Sequence, residues 1–158
     1  TQPLELAFGM RKENTVTRSS EVCIPLYDAR AHLSATGEWL KNAPPLGDLP
    51  FAALLRDAQN LNPDHLAGLR HEGDAMSPLL REGDVILLNH QRTEIRTDGL
   101  YVLVLDGWLQ TKRLQRQPDG SITIISDNHA YRDVSLAKSE MGQLIIAGTV
   151  VWHGRWLI

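Results

Sequence analysis

The chain has 158 residues, 42% hydrophobic and 22% charged, with a formal net charge of −3, which suits one domain with a real core. No basic block offers a nucleic-acid footprint, and the lone Cys23 excludes an internal disulfide and fits a reducing compartment. No apolar run approaches the ~20 residues of a membrane span and no signal-peptide pattern opens the chain, so a cytoplasmic protein without a membrane partner is expected.

In chain order, residues 1–21 (TQPLELAFGMRKENTVTRSSE) are polar and unpatterned, the composition of a linker or loosely docked arm. "VCIPLYDA", 22–29, predicts a short strand, with Pro25 restricting it to an edge or entry position. Residues 30–50 hold three prolines with Gly37 and Gly47 and predict a long connection. "PFAALLRDAQ", 50–59, predicts a helix with Pro50 in its first turn. "LAGLRHE" predicts a strand, and "GDAMSPLLREGDVILL", 73–88, brackets a Ser77-Pro78 helical turn between two Gly-Asp pairs. "DVILLNH" is a strand. "GLYVLVLDGWLQTKRLQRQPDGSITIISD" predicts three strands joined at Asp106-Gly107 and Pro118-Asp119-Gly120. "GQLIIAGTVVWHG" closes the chain as a strand bent at Gly148. The fold class is mostly β, a coiled rather than flat sheet with short helices. No internal repeat is present.

The Gly-Asp segment frames Ala75, a side chain with no chemistry. One reading is structural punctuation: Ser77 caps, Pro78 opens the turn and Gly83 ends it. The other is a site, since backbone amides at a helix start stabilise a developing oxyanion, and a serine just before them would suit acyl chemistry. Lys112 carries the second signal. A two-residue turn at Asp106-Gly107 pairs Leu105 with Trp108 and Tyr101 with Lys112. Lys112 then shares a face with Tyr101, Leu103, Leu105, Trp108 and Leu114. Desolvation there lowers a lysine pKa and makes a general base; the alternative is a lysine whose ammonium snorkels to solvent.

"GDAMSPLLREGDVILLN", "YVLVLDGWLQTKRLQR", "ISDNHAY" and "IIAGTVVWHGR", in that order, resemble the C-terminal domain of LexA-type and lambda-like phage repressors, shared by UmuD and akin to the signal-peptidase fold. The resemblance covers residues 22–158. It implies a self-cleaving serine peptidase in which Lys112 is the general base and position 75 the nucleophile, framed by Gly73, Asp74 and Met76. It further implies a homodimer, a RecA-type inducer of the SOS kind, and operator DNA bound through a helix-turn-helix domain outside this chain. Alanine at position 75 departs from the pattern and removes the attacking atom, so the chain as given is expected to be inactive. Ser77 belongs to the turn and does not substitute. Two explanations stand for Ala75, loss in this family member or replacement to hold an uncleaved form; the intact frame favours replacement.

Self-cleavage requires a scissile bond upstream. Ala67-Gly68 lies too near position 75 and Ala147-Gly148 lies in the closing strand, which leaves Thr36-Gly37 in "HLSATGEWL", with Phe8-Gly9 a distant third. The family usually shows Ala-Gly or Cys-Gly there, so Thr36 is itself a departure. A plain loop turn at Gly37 is the competing account. His65, His71, His129 and His153 form no ligand pair and no phosphate loop is present, so neither metal nor cofactor is expected. "SDNHAY" predicts a turn with Asx-type hydrogen bonds. Trp152 and Trp156, with Val150 and Val151, suit either the core or a subunit contact. The competing functions are a UmuD-like accessory protein and a signal-peptidase-like protease; the missing anchor and serine count against the latter.

Overall fold

In a computed structural model that describes residues 21–30, 44–52 and 60–158, the apolar runs pair into one nine-stranded sheet. The strands are β1 Glu21–Asp28, β2 Gly47–Ala52, β3 Leu66–Arg70, β4 Val85–Asn89, β5 Gly99–Leu105, β6 Trp108–Arg116, β7 Ile122–Ile125, β8 Val134–Leu136 and β9 Ile145–Gly154. Their order is β2-β1-β3-β4-β9-β5-β6-β7-β8. The β1–β3 pair is parallel and the others are antiparallel. Two short 3-10 helices, Pro63–His65 and Lys138–Gln143, complete the regular structure of the described residues.

The β5–β6 hairpin sets the layout. Asp106 and Gly107 both adopt the left-handed conformation, φ 54° and 83°, the turn whose twist matches a two-residue hairpin. Leu105 therefore faces Trp108 and Tyr101 faces Lys112, as the sequence predicts. Alternation then divides the hairpin between two cores. Tyr101, Leu103 and Leu114 join Ile122 and Ile124. Val102 and Leu109 join Leu69, Met76, Leu80, Ile86 and Leu88. Each such side chain contributes about 1.5–3 kcal/mol by leaving water. The closing strand is irregular beside Gly148: its pairing with β5 shifts between Val102 and Leu103. A Cβ on Gly148 would sit 2.6 Å from the Asn89 carbonyl oxygen, so glycine lets β9 lie close on β4.

Four expectations are corrected. Residues 50–52 are strand, not helix: Phe51 pairs with Val22 and its ring meets Trp152 edge-on at 5.6 Å, so long-range pairing overrides the helical pattern; 53–59 lie outside the described residues. Residues 47–50 belong to the same strand rather than to a connection, and 31–43 are not described. β1 is an interior strand between β2 and β3. Pro25 is accommodated because the β1–β3 ladder begins only at Leu26, after the residue that lacks an N–H. Residues 73–80 form successive turns rather than a capped helix, with Ser77 N–H bonding the Asp74 carbonyl at 3.1 Å and Leu80 N–H the Met76 carbonyl at 2.9 Å. Of the proposed arm, 1–21, residues 1–20 lie outside the described residues, and Glu21 belongs to β1.

Candidate active site

Lys112 is 8% exposed, at the middle of β6. Burial holds its ammonium pKa below the ordinary lysine value, because a low-polarity surrounding disfavours the charged form. Its Nζ donates to Ser126 Oγ at 2.8 Å. That partner is placed by the next residue of the strand. Arg113 donates from Nε and Nη2 to both carboxylate oxygens of Asp127, each at 2.9 Å, a bidentate pairing that fixes the loop after β7.

The segment around position 75 is closed at its base by two backbone bonds, His71 N–H to Asp84 O at 2.7 Å and Gly83 N–H to His71 O at 3.0 Å. Gly73 and Gly83 take positive φ, 82° and 87°, so both Gly-Asp pairs begin on a left-handed residue. The Gly73 N–H is engaged by Glu82 Oε2 at 3.0 Å, which makes it part of the frame. Met76 and Leu80 are fully buried and anchor the turns in the core. Asp84, also buried, accepts from Arg81 N–H and from Arg155 Nε and Nη2. The Arg155 guanidinium lowers its carboxyl pKa.

The loop 126–131 joins the two halves of the site. Asn128 N–H donates to the Ala75 carbonyl at 3.0 Å and Asn128 Nδ2 to the Asp74 carbonyl at 3.0 Å. Tyr131 donates its hydroxyl proton to the Asp74 carboxylate, and Asp127 N–H reaches Met76 Sδ at 3.5 Å. The Asx turn expected in "SDNHAY" is present, Ala130 N–H bonding Asn128 Oδ1. One short loop thus holds the partner of Lys112 and the backbone of position 75 together.

Ala75 and Lys112 line one cleft of ≈ 430 Å³, with Arg30, His71, Gly73, Asp74, Trp108, Thr111 and Tyr131 among its walls. A second cavity of ≈ 220 Å³ also borders Lys112, walled by Leu105, Gln110, Ile124, Ser126, Tyr131, Arg132 and Val134. A lysine of lowered pKa and the framed position 75 therefore share one cleft. The methyl of Ala75 supplies no nucleophile there. Ser126, the hydrogen-bond partner of Lys112, lines the second cavity. Thr36 and Gly37 lie outside the described residues. Trp152 and Trp156 are exposed rather than core. Among the described residues no group of three or more His, Cys, Asp or Glu is placed to hold a metal, and no helix is long and apolar enough to cross a membrane.

Sequence reasoning missed Ser126, Asn128 and Tyr131 as parts of the site. Their signal is a register: Arg113 faces Ile125 across β6 and β7, which sets Ser126 beside Lys112.

Residues 31–151 match the Peptidase S24-like family. The chain is 30% identical over 115 residues to an uncharacterized HTH-type transcriptional regulator of Haemophilus influenzae, covering 72% of this chain and 48% of the relative. It is 27% identical over 142 residues to the HTH-type transcriptional regulator PrtR of Pseudomonas aeruginosa, 88% of this chain and 56% of the relative. It is 35% identical over 79 residues to the 26 kDa repressor protein of Escherichia phage HK022, 50% of this chain and 33% of that protein. The chain therefore spans about half the length of the first two.

Proposed function

The chain belongs to the Peptidase S24-like family, and from that premise we propose that it is the C-terminal regulatory and dimerisation domain of a prophage- or SOS-type transcriptional repressor, built for self-cleavage and silent as it stands. The observation that carries the reading is that a buried lysine, Lys112, and the framed Ala75 line one cleft.

With serine at position 75, Lys112 Nζ would take the proton from Oγ as Oγ attacks the carbonyl carbon of Thr36. The C–N bond to Gly37 then breaks, the amine leaving with the proton from Lys112, and water hydrolyses the resulting ester. Operator DNA would be held through helix-turn-helix domains outside this chain. Dimerisation lets two such domains engage two half-sites together, raising affinity through effective concentration, and cutting the connection removes that gain. A RecA-type filament is the proposed inducer and the cytoplasm the proposed compartment. Ala75→Ser tests the reading: incubation at pH about 10 should cut the chain once, at a pH where neutral lysine is abundant. An uncut chain, or cutting that survives Lys112→Ala, would sink the dyad.

A further inference from the structure

Among the described residues, two buried side-chain atoms have no hydrogen-bond partner, His71 Nε2 and Thr111 Oγ1. Both residues line the cleft of Ala75 and Lys112, one from the segment after β3 and one from β6. A buried polar atom left unpaired is costly, so native proteins keep few and usually for a purpose. Packing alone would favour apolar side chains at these positions, as at their neighbours Leu69 and Leu109.

We infer that His71 and Thr111 form a polar subsite of the cleft that takes the side-chain hydroxyl of a serine or threonine in the docked peptide. The inference rests on the reading that the cleft binds a peptide. A hydroxyl is one donor and one acceptor on a single atom. A hydroxyl that reaches both would donate to His71 Nε2 and accept from the Thr111 hydroxyl, satisfying both orphans. Burial holds the imidazole below its ordinary pKa, against the opposing pull of Asp84 and Glu82, and the ring also engages the Gly73 backbone. A neutral ring so engaged leaves Nε2 as the acceptor. Both orphan atoms are sealed from solvent, so occupancy requires rotation of Thr111 about χ1 and a shift of the His71 ring that keeps its bond to the Gly73 backbone. The segment 31–43 contains two hydroxyl residues, Ser34 and Thr36, spaced so that an extended peptide turns both to one side. Thr36, where the family usually has a small residue without a hydroxyl-bearing branch, is matched by this polar wall.

A double-mutant cycle tests the subsite. In the Ala75→Ser chain, one of Ser34→Ala and Thr36→Val should slow self-cleavage about tenfold, the worth of one lost hydrogen bond at a site that then stays unpaired. In a Thr111→Val or His71→Leu background the same change should have no effect. Additive effects, or no effect of either change in the intact cleft, overturn the inference. If Ala75→Ser fails to cut, the dyad reading has failed, and the cycle is read as binding instead. A synthetic peptide of residues 31–43 and its Ser34→Ala and Thr36→Val forms are then titrated into the unchanged chain, following the His71 ring nitrogen by NMR. Equal affinity for all three peptides overturns the subsite. Thr111→Val should hold or raise the melting temperature, since it removes an unpaired hydroxyl; a clear fall means that the hydroxyl is already satisfied and removes the premise.

Discussion

Lys112 Nζ and Ser126 Oγ are joined by a hydrogen bond of 2.8 Å, which holds the amine at one place on the cleft wall. The ammonium makes the stronger, charge-assisted form of that bond, so the hydroxyl favours protonation slightly while burial disfavours it. In an Ala75→Ser chain, Ser126→Ala should slow cleavage roughly 10- to 100-fold through lost positioning of the base. The midpoint of the pH–rate curve should move down, because the ammonium loses an acceptor. Rates measured from neutral to strongly alkaline pH decide this; an unchanged rate and midpoint would make Ser126 a bystander.

The pH dependence of the Ala75→Ser chain follows from the direction of the Lys112 shift. Only neutral lysine accepts a proton, so the rate should rise about tenfold per pH unit below the Lys112 pKa and level off above it. Burial lowers that pKa, so the plateau should come below the pH at which an exposed lysine titrates. Between its folded and unfolded pKa values the unfolded chain binds more protons at Lys112, so this group's contribution to stability rises with pH across that window. Lys112→Met should therefore abolish cleavage and raise the melting temperature at neutral pH by about 2–4 °C. A flat pH–rate curve in the cleaving variant would remove Lys112 from the base role.

The Tyr101–Lys112 pairing was legible because a two-residue Asp-Gly turn permits one register. The five-residue connection 117–121 does not, so Ser126 was hidden although its strand was predicted. β2 was unreadable for a different reason: "PFA" follows a helical pattern locally and becomes strand through Val22 and Trp152. Strand β8, three half-exposed or exposed residues long, carries no periodicity to read. The frame was recognisable from its Gly-Asp pairs, but its turns are held by Asn128, Asp127 and Tyr131, contacts that spacing within the segment does not encode.

Asp84 should control acid stability. Its buried carboxylate is hydrogen-bonded by Arg155, which lowers its pKa. A depressed folded pKa means that the contribution is fully present above the ordinary carboxylate pKa and is lost as pH falls through the folded one. Asp84→Asn should cost about 2 kcal/mol near neutrality, the range for hydrogen bonds to a charged group. It should also flatten the loss of stability below pH ~4. Denaturant melts at several pH values check both; an acid limb as steep in the variant as in the parent would contradict the assignment.

A dimer is expected to use side chains rather than strand addition at β9. That strand lies between β4 and β5 with both edges paired, while Trp152 and, 81% exposed, Trp156 remain uncovered beside exposed Leu157 and Ile158. Sedimentation at micromolar concentration should show a dimer. Trp156→Glu should weaken it about tenfold or more without loss of fold, as loss of a central aromatic contact does. A monomer at all concentrations would exclude this face and remove the proposed route to repression.

The end of β1 delivers the chain to the wall of the cleft. Leu109 N–H donates to the Ala29 carbonyl at 2.9 Å, tying the end of β1 to the start of β6. The Arg30 guanidinium stacks 4.3 Å above the Trp108 ring and pairs with Glu72. Arg30, Glu72 and Trp108 all belong to the cleft wall, so the chain enters segment 31–43 at the rim of the site. Six residues of extended chain span at most about 20 Å, and the proposed attack on Thr36 within one molecule requires position 75 to lie inside that reach. Cleavage of the Ala75→Ser chain should therefore be first order and independent of protein concentration. Arg30→Ala, which frees the departure point, should lower the effective concentration of the segment and slow cutting in cis several-fold. Attack on a synthetic 31–43 peptide in trans should fall less than cutting in cis, so the ratio of the two rates is the readout. Gly37→Val should block cutting, and changes at Phe8-Gly9 should not. Mass spectrometry of the fragments reads the position directly: the large fragment should begin at Gly37, and any other start would overturn the assignment of the bond while leaving Lys112 and position 75 to be judged by their own variants.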